Sequence, residues 1–355
     1  MATPRAEQQR AHDGGEPVRA GDRPGDREEF ARLADPYRPE LLAHCYRMLG
    51  SVHDAEDLVQ ETYLRAWRFY GGFEGRSSLR RWLYQIATNA CLRALERRRR
   101  TPMPSGLAGP DDRIDRPVTA RLDLLWMEPL PDALAGLDPA DAARPHTADP
   151  ASVAVARGSL RLAFVAALQH LPARQRAVLI LRDVLAFSAA ETALTLGTTT
   201  AAVNSALQRA RAHLARVAPA EEQFAEPSEP EAKALLDRYA AAFENADVDG
   251  LLRLLRDDAV LEMPPYPTWF TGAERVADFL RPRALVEPGR NRMVPVHANA
   301  QPGMAHYLRG DDGILRAHAV HVLTPAPDAS RIGRIAVFLS PRLFPRFGMP
   351  MRWRE

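Results

Sequence analysis

The chain has 355 residues, 46% apolar and 26% charged, enough for two or three domains with real cores. Its net charge is only +2, and no apolar run of about 18 residues occurs, which excludes a helical membrane span. No apolar stretch follows the N-terminal Arg and Asp residues, so no secretory signal is read and a cytoplasmic protein is expected.

The small net charge hides a segregation. Residues 41–100 hold eleven Arg against six acids, 101–150 four Arg against nine acids, and 157–216 eight Arg against two acids. Two basic modules around an acidic connector suit a polyanionic partner, although solvated faces give the same pattern. Lys233 is the one lysine among 47 basic residues, so the arginines partly reflect compositional bias. Cys45 and Cys91 fall at apolar helix positions and read as buried thiols rather than a redox pair. Neither a metal nor a cofactor is expected.

Residues 1–26 are Gly, Arg, Asp and Pro with little to bury, and are expected to be disordered. From residue 40, Leu42, Cys45, Tyr46 and Leu49 recur at helical spacing until Gly50. Asp54 is placed to cap the next helix, with Ala55, Leu58, Val59, Thr62, Ala66 and Phe69 inward. Asp54, Glu56, Asp57 and Glu61 fall within eight residues that hold no base. Acids in a first turn complement the helix dipole, but Glu61 lies too far along for that, which favours a partner surface.

A Gly-rich loop over 71–78 follows. Ser77 or Ser78 caps a long helix with a stripe of Leu79, Leu83, Ile86, Ala90 and Leu95. Its outer face offers Arg80, Arg81, Gln85, Thr88 and Asn89, with Trp82 and Tyr84 near the loop. Aromatic rings beside Arg suit unstacked single-stranded bases; Trp82 as plain core is the competing reading. Arg97, Arg98, Arg99 and Arg100 close the helix as a solvated end or a phosphate contact. Residues 101–150, rich in Pro, Gly and Asp, read as a linker with one apolar anchor at 122–126.

The second basic module pairs a capping-box pattern, Ser188 with Glu191, with Gly197 and a following helix. That is the helix-turn-helix layout, with a three-helix bundle as the alternative. The outward set Thr199, Thr200, Ala201, Asn204, Ser205, Gln208, Arg209 and Arg211 can read base edges and hold phosphates. After a Glu- and Pro-rich stretch, helices precede β-rich segments at 305–308, 317–323 and 332–339, which predicts an α+β domain. Tyr239, Phe243, Met263, Trp269 and Phe279 form a ligand pocket or an ordinary core. Asp257, Asp258, His297, His306, His318 and His321 are available acid–base groups, but no pair has diagnostic spacing.

CYRMLGSVHDAEDLVQETYLRAW and RSSLRRWLYQIATNACLRALERRR resemble region 2 of the extracytoplasmic-function sigma-70 family. LPARQRAVLILRDVLAFSAAETALTLGTTTAAVNSALQRARAHL resembles its region 4. RYAAAFENADVDGLLRLLRDDAVLEMPP and TWFTGAERVADFL are similar, more loosely, to a SnoaL-like cone domain. The resemblance implies two all-α modules, a region 2 helical bundle and a region 4 helix-turn-helix, followed by an α+β SnoaL-like domain. It places a tail at 1–26, region 2 at 27–100, an acidic linker at 101–151 and region 4 at 152–217. A second linker at 218–230, the SnoaL-like domain at 231–340 and a basic, aromatic tail at 341–355 complete the chain.

It further implies that Asp54, Glu56, Asp57, Leu58, Val59, Gln60 and Glu61 bind core RNA polymerase. Arg76, Ser77, Ser78, Arg80, Arg81, Trp82, Gln85 and Asn89 would melt and hold single-stranded promoter DNA, and the 199–213 helix would read the upstream duplex. The linker would run toward the RNA exit path, and at about fifty residues it is long for the family. The expected function is a promoter-specificity subunit without catalysis of its own, regulated in cis by its C-terminal domain, with core polymerase, promoter DNA and a possible small-molecule ligand as partners. A stand-alone helix-turn-helix regulator and a sigma-like protein ending in a cyclase- or isomerase-type enzyme are the alternatives.

Overall fold

The computed structural model describes residues 24–71, 73, 78–96, 101–137, 150–217, 229–326 and 330–354. Arg76, Ser77, the 97–100 arginines and the stretch 1–23 lie outside them.

Helix α1 (Pro24–Ala34) begins inside the stretch expected to be a disordered tail. Its Phe30 packs against Tyr63, Trp67 and Tyr70, which anchors the helix. Helix α2 (Arg38–Leu49) is the centre of the molecule. Every residue from Leu41 to Leu49 is buried, and Gly50 ends the helix at φ 72°. A helix covered all round belongs inside a larger assembly, and α2 is enclosed by three modules.

Helix α3 (Val52–Tyr70) is capped by Ser51, whose Oγ accepts the Asp54 N–H, rather than by Asp54. Helix α4 (Leu79–Glu96) buries Leu83, Tyr84, Ala87, Thr88, Ala90 and Cys91. The expected stripe was rotated: Tyr84 and Thr88 point inward, while Leu79, Ile86 and Leu95 are half-buried. The rotation arises because α4 is packed on two sides, by α2 and by the second helical module.

That module comprises α5 (Pro150–Gly158), α6 (Leu162–Gln169), α7 (Ala173–Leu179) with a wider turn over 180–184, α8 (Ala189–Leu196) and α9 (Thr200–Val217). Ser188 and Glu191 form the full capping box, and Gly197 ends α8 at φ 59°. The two modules exchange buried arginines across their contact. Arg47 of α2 reaches Ser159 Oγ and the Ala156 carbonyl near the end of α5 (both 3.0 Å). Arg176 of α7 donates to the carbonyl of Met48, at the end of α2. Each guanidinium meets carbonyls that a helix end leaves without intrahelical partners.

The C-terminal domain contains α10 (Glu229–Glu244), α11 (Val248–Leu254), β1 (Leu255–Glu262), β2 (Trp269–Thr271) and α12 (Ala273–Leu280). Strands β3 (Asn291–Ala298), β4 (Gln301–Arg309), β5 (Leu315–Pro325), β6 (Ile332–Phe338) and β7 (Arg352–Trp353) complete it. The strand order is β2-β1-β6-β5-β4-β3, antiparallel except for β1 with β6, and β7 adds to β5. Strand β3 was not anticipated. Its Pro295 reads against a strand but is tolerated at an edge, where β3 lies.

Alternation along the sheet makes two cores. Met304, Ala319 and Leu323 face α10, α11 and α12, while Ala305, Tyr307, Val320 and Val322 face the helical modules. The stretch 341–355 is not a tail. Leu343 and Phe344 are buried, Phe344 meets Tyr307 edge-on at 5.0 Å, and β7 pairs with β5.

The β3–β4 turn ties the modules together. Asn299 sits at φ 59°, a conformation Asn tolerates better than most residues, and is fully buried. Its Nδ2 donates to Tyr46 Oη (2.8 Å) and the Leu160 carbonyl (2.7 Å), and its Oδ1 accepts the Leu130 N–H (2.9 Å). One side chain thus bonds the first module, the connector and the second module between α5 and α6.

Over its described residues 101–137 the connector is not a free linker. Met103, Met127 and Leu130 are buried, whereas Leu122 and Leu125, within the expected anchor, are 82% and 49% exposed. A hydrophobic segment anchors a connector only where a complementary surface meets it.

Candidate functional site

Three surfaces carry the expected site residues. On α3, Asp57 and Gln60 are exposed, Asp54 and Glu56 half-buried, and Glu61 pairs with Arg65 one turn on. Glu56 is engaged from the C-terminal domain by Arg346, with Nε 2.7 Å from Oε2. Val59 is 1% exposed and Leu58 packs on the first core, so Val59 supports the helix from behind instead of meeting a partner. Phe69, placed inward by the sequence pattern, is 67% exposed. The last turn of α3 packs on Phe30 through Trp67 and Tyr70, which leaves Phe69 on the solvent side.

On α4, Ser78 Oγ accepts the Arg81 N–H, and Trp82 lies half-buried with its ring 4.9 Å from that of Phe73. Gln85 and Asn89 are half-exposed. Arg80 is held by the Glu40 carboxylate (2.8–2.9 Å) over the Tyr84 ring, and Arg81 pairs with Glu191 of α8. The Ser188 N–H and Arg81 together hold the Glu191 carboxyl below its usual range. Beside this pair, Tyr84 meets Phe187 edge-on at 5.6 Å. The second module therefore covers part of the face assigned to single-stranded DNA.

On α9, Thr199, Thr200, Ala201, Asn204, Ser205, Gln208 and Arg209 are exposed along one side. Thr199 Oγ1 accepts the Ala202 N–H and caps the helix. Arg211 is exposed yet bound by both oxygens of Asp183 (2.7 and 2.9 Å), which fixes it beside a small open groove with Asn204 and Gln208.

The residues suggested as a ligand pocket are core. Tyr239, Phe243, Met263 and Phe279 are buried in the second core, with Tyr239–Phe243 centroids 4.8 Å and Phe270–Phe279 centroids 4.4 Å apart. Trp269 is half-buried, its indole N–H on the Ala108 carbonyl (2.8 Å). Asp257 and Asp258 are engaged by Arg331 and Arg256, and His297 is exposed.

His306 and His321 form a buried chain with a fixed direction. Asn291 Nδ2 donates to the Phe243 and Ala284 carbonyls, so its Oδ1 accepts from His306 Nε2 (2.8 Å). His306 Nδ1 then accepts from His321 Nε2 (3.2 Å), and His321 Nδ1 from the Tyr239 hydroxyl (2.8 Å). Burial depresses both imidazoles, His321 to about 3. A bulge opposite His306 turns His318 onto the same face, 5.0 Å from the His306 ring centroid. Sequence spacing could not show this cluster, because sheet register creates it. Among the described residues no group of three His, Cys, Asp or Glu could hold a metal ion, and no helix is long and apolar enough to cross a membrane.

Comparison with known proteins follows this layout. The sigma-70 region 2 family matches residues 33–101, sigma-70 region 4 matches 161–214, and the SnoaL-like domain family matches 236–332. The chain is 50% identical to the ECF RNA polymerase sigma factor SigG of Mycobacterium tuberculosis (strain CDC 1551 / Oshkosh) over 93% of its own length and 87% of that protein. It is 30% identical to SigM of M. tuberculosis (strain ATCC 35801 / TMC 107 / Erdman) over 54% of its length and 79% of that protein. The crystal structure of M. tuberculosis extracytoplasmic function sigma factor SigJ shares the fold, with a TM-score of 0.54 and 23% identity, covering 91% of this chain and 99% of that one. With both helical modules, the C-terminal domain and a relative matched over nearly its whole length, the chain belongs to the extracytoplasmic-function RNA polymerase sigma factors.

Proposed function

We propose that this sigma factor is held by its own C-terminal domain in a closed arrangement that opens on core RNA polymerase. The observation that carries the reading is the double masking of the helical modules. Arg346 occupies Glu56 on the acidic helix, and the Arg81–Glu191 pair with the Tyr84–Phe187 contact closes α8 over α4. Asp57 and Gln60 stay exposed as a first foothold for a basic surface of core polymerase. Once the modules part, Ser78, Arg80, Arg81, Trp82, Gln85 and Asn89 hold unpaired bases while α9 enters the major groove by Thr199, Thr200, Ala201 and Asn204. Stacking contributes on the order of 1–3 kcal/mol per base, so strand opening is driven by binding without a catalytic group.

The C-terminal domain acts through its contacts. Its interior is filled by Tyr239, Phe243 and Phe279, which supports a regulatory role without chemistry, exerted in the cytoplasm beside the polymerase. Run-off transcription with core polymerase tests the reading. Asp57→Arg should reduce core binding by roughly tenfold or more, as like charges meet across the contact. Full transcription and core binding by this variant would remove the acidic helix from the interface.

A further inference from the structure

The connector between the helical modules crosses the C-terminal domain as a bound peptide would. Strand β2 is three residues long and lies at the sheet edge, where backbone groups are open to an added chain. The Asp111 N–H donates to the Trp269 carbonyl on that edge (2.8 Å). Downstream, the Arg121 N–H donates to the Pro265 carbonyl (2.9 Å); upstream, the Ser105 N–H donates to Glu262 Oε1 (2.8 Å).

Side chains reinforce the track. Ile114 and Val118, though on a mostly exposed segment, pack against the second core. Arg283 lies over the Phe279 ring at 4.2 Å and donates to the Ile114 carbonyl (2.9 Å). Ile114 also forms one wall of an open cleft of about 1060 Å³ whose other walls include Leu252, Thr271 and Ala273. A backbone bond to the sheet edge, a second to the loop before it and two apolar anchors between them are of the kind by which edge-binding domains hold extended peptides.

We propose that the C-terminal domain is a peptide-binding module whose ligand is the chain's own connector, residues 105–121. The segment is a strap: bound, it sets the distance between the helical modules; released, it gives them the slack of an extended chain. The unusual length of the connector follows, since a plain tether between two touching modules needs far fewer residues.

The test uses the full-length chain and a labelled synthetic peptide of residues 105–121. The strap in cis holds the site at high effective concentration, so the unaltered protein should bind the peptide poorly. A variant carrying Ile114→Asp and Val118→Asp should bind it at least roughly tenfold more tightly, because the tethered competitor is weakened. In the unaltered protein the Asp111 and Arg121 amides should be protected from hydrogen exchange, and in the variant that protection should fall. Equal peptide binding by both proteins, or unprotected amides in the unaltered one, overturns the proposal. Should the double variant misfold, a chain with residues 108–121 replaced by Gly and Ser takes its place; absence of peptide binding there is equally decisive against it. No polymerase enters either assay, so failure here leaves the promoter-opening reading standing, and failure of the transcription assay leaves the strap.

Discussion

Arg346 Nε lies 2.7 Å from Glu56 Oε2, joining the end of the C-terminal domain to the acidic helix across 290 residues of sequence. Both side chains are partly exposed, so the pair adds little to stability, and its consequence lies in what it covers. Arg346→Ala should free Glu56 and tighten core polymerase binding by roughly two- to fivefold at low salt, as a surface pair of this kind allows. Fluorescence anisotropy with labelled protein measures this; weaker binding would show that Arg346 itself meets the polymerase.

A similar argument applies to Arg81 and Glu191. Glu191→Gln keeps an oxygen for the Ser188 N–H but removes the charge that Arg81 meets. Binding of a single-stranded promoter oligonucleotide should rise by roughly two- to fivefold, since one competing partner of Arg81 is gone. Unchanged oligonucleotide binding would mean that this pair does not limit access to α4.

Asn299 is expected to be the most sensitive position in the turn that joins the modules. Asn299→Ala strands the partners of three side-chain hydrogen bonds and places a less suited residue at positive φ. The loss should be on the order of 2–4 kcal/mol, read as a lower urea midpoint. Asn299→Gly relieves the backbone but not the hydrogen bonds, so it should recover only part of that loss. Full recovery would assign the cost to the backbone alone.

Acid should destabilise the closed protein early. Burial lowers His44 and His321 to about 3 from an ordinary 6.5, and lowers His306 as well. Between pH 6.5 and 3 the unfolded chain takes up protons that the folded chain refuses. Stability is therefore unaffected by these groups above pH 6.5 and falls as the pH drops below it. His44 and His321 each contribute a slope of about 1.4 kcal/mol per pH unit in that window, and His306 acts in the same direction. Urea midpoints between pH 7 and 5 check the slope; His321→Gln should flatten it by about one proton, and an unaltered slope would contradict neutral burial.

These contacts also change how the C-terminal domain is best probed. Removing it would strip Val296, Ala305, Tyr307 and Val320 from a core shared with the helical modules. Exposed apolar surface would then be confused with released regulation, so point variants at Arg346 and Glu191 are the cleaner instruments.

Amino-acid order alone determined the elements whose signals are local. The Ser188–Glu191 capping box, the Gly50 and Gly197 helix stops and the charge division between α3 and α4 were legible because each depends on neighbours within a few positions. Tertiary structure decided which faces those elements bury. Tyr84 and Thr88 turned inward, Phe69 turned out, and 341–354 became part of a domain, because each depends on surfaces supplied from far along the chain. The Arg346–Glu56 pair, the Asn299 junction and the strap across β2 belong wholly to that second class. Hydrogen bonds and apolar contacts act over a few ångströms, and only folding brings residues hundreds of positions apart within that reach.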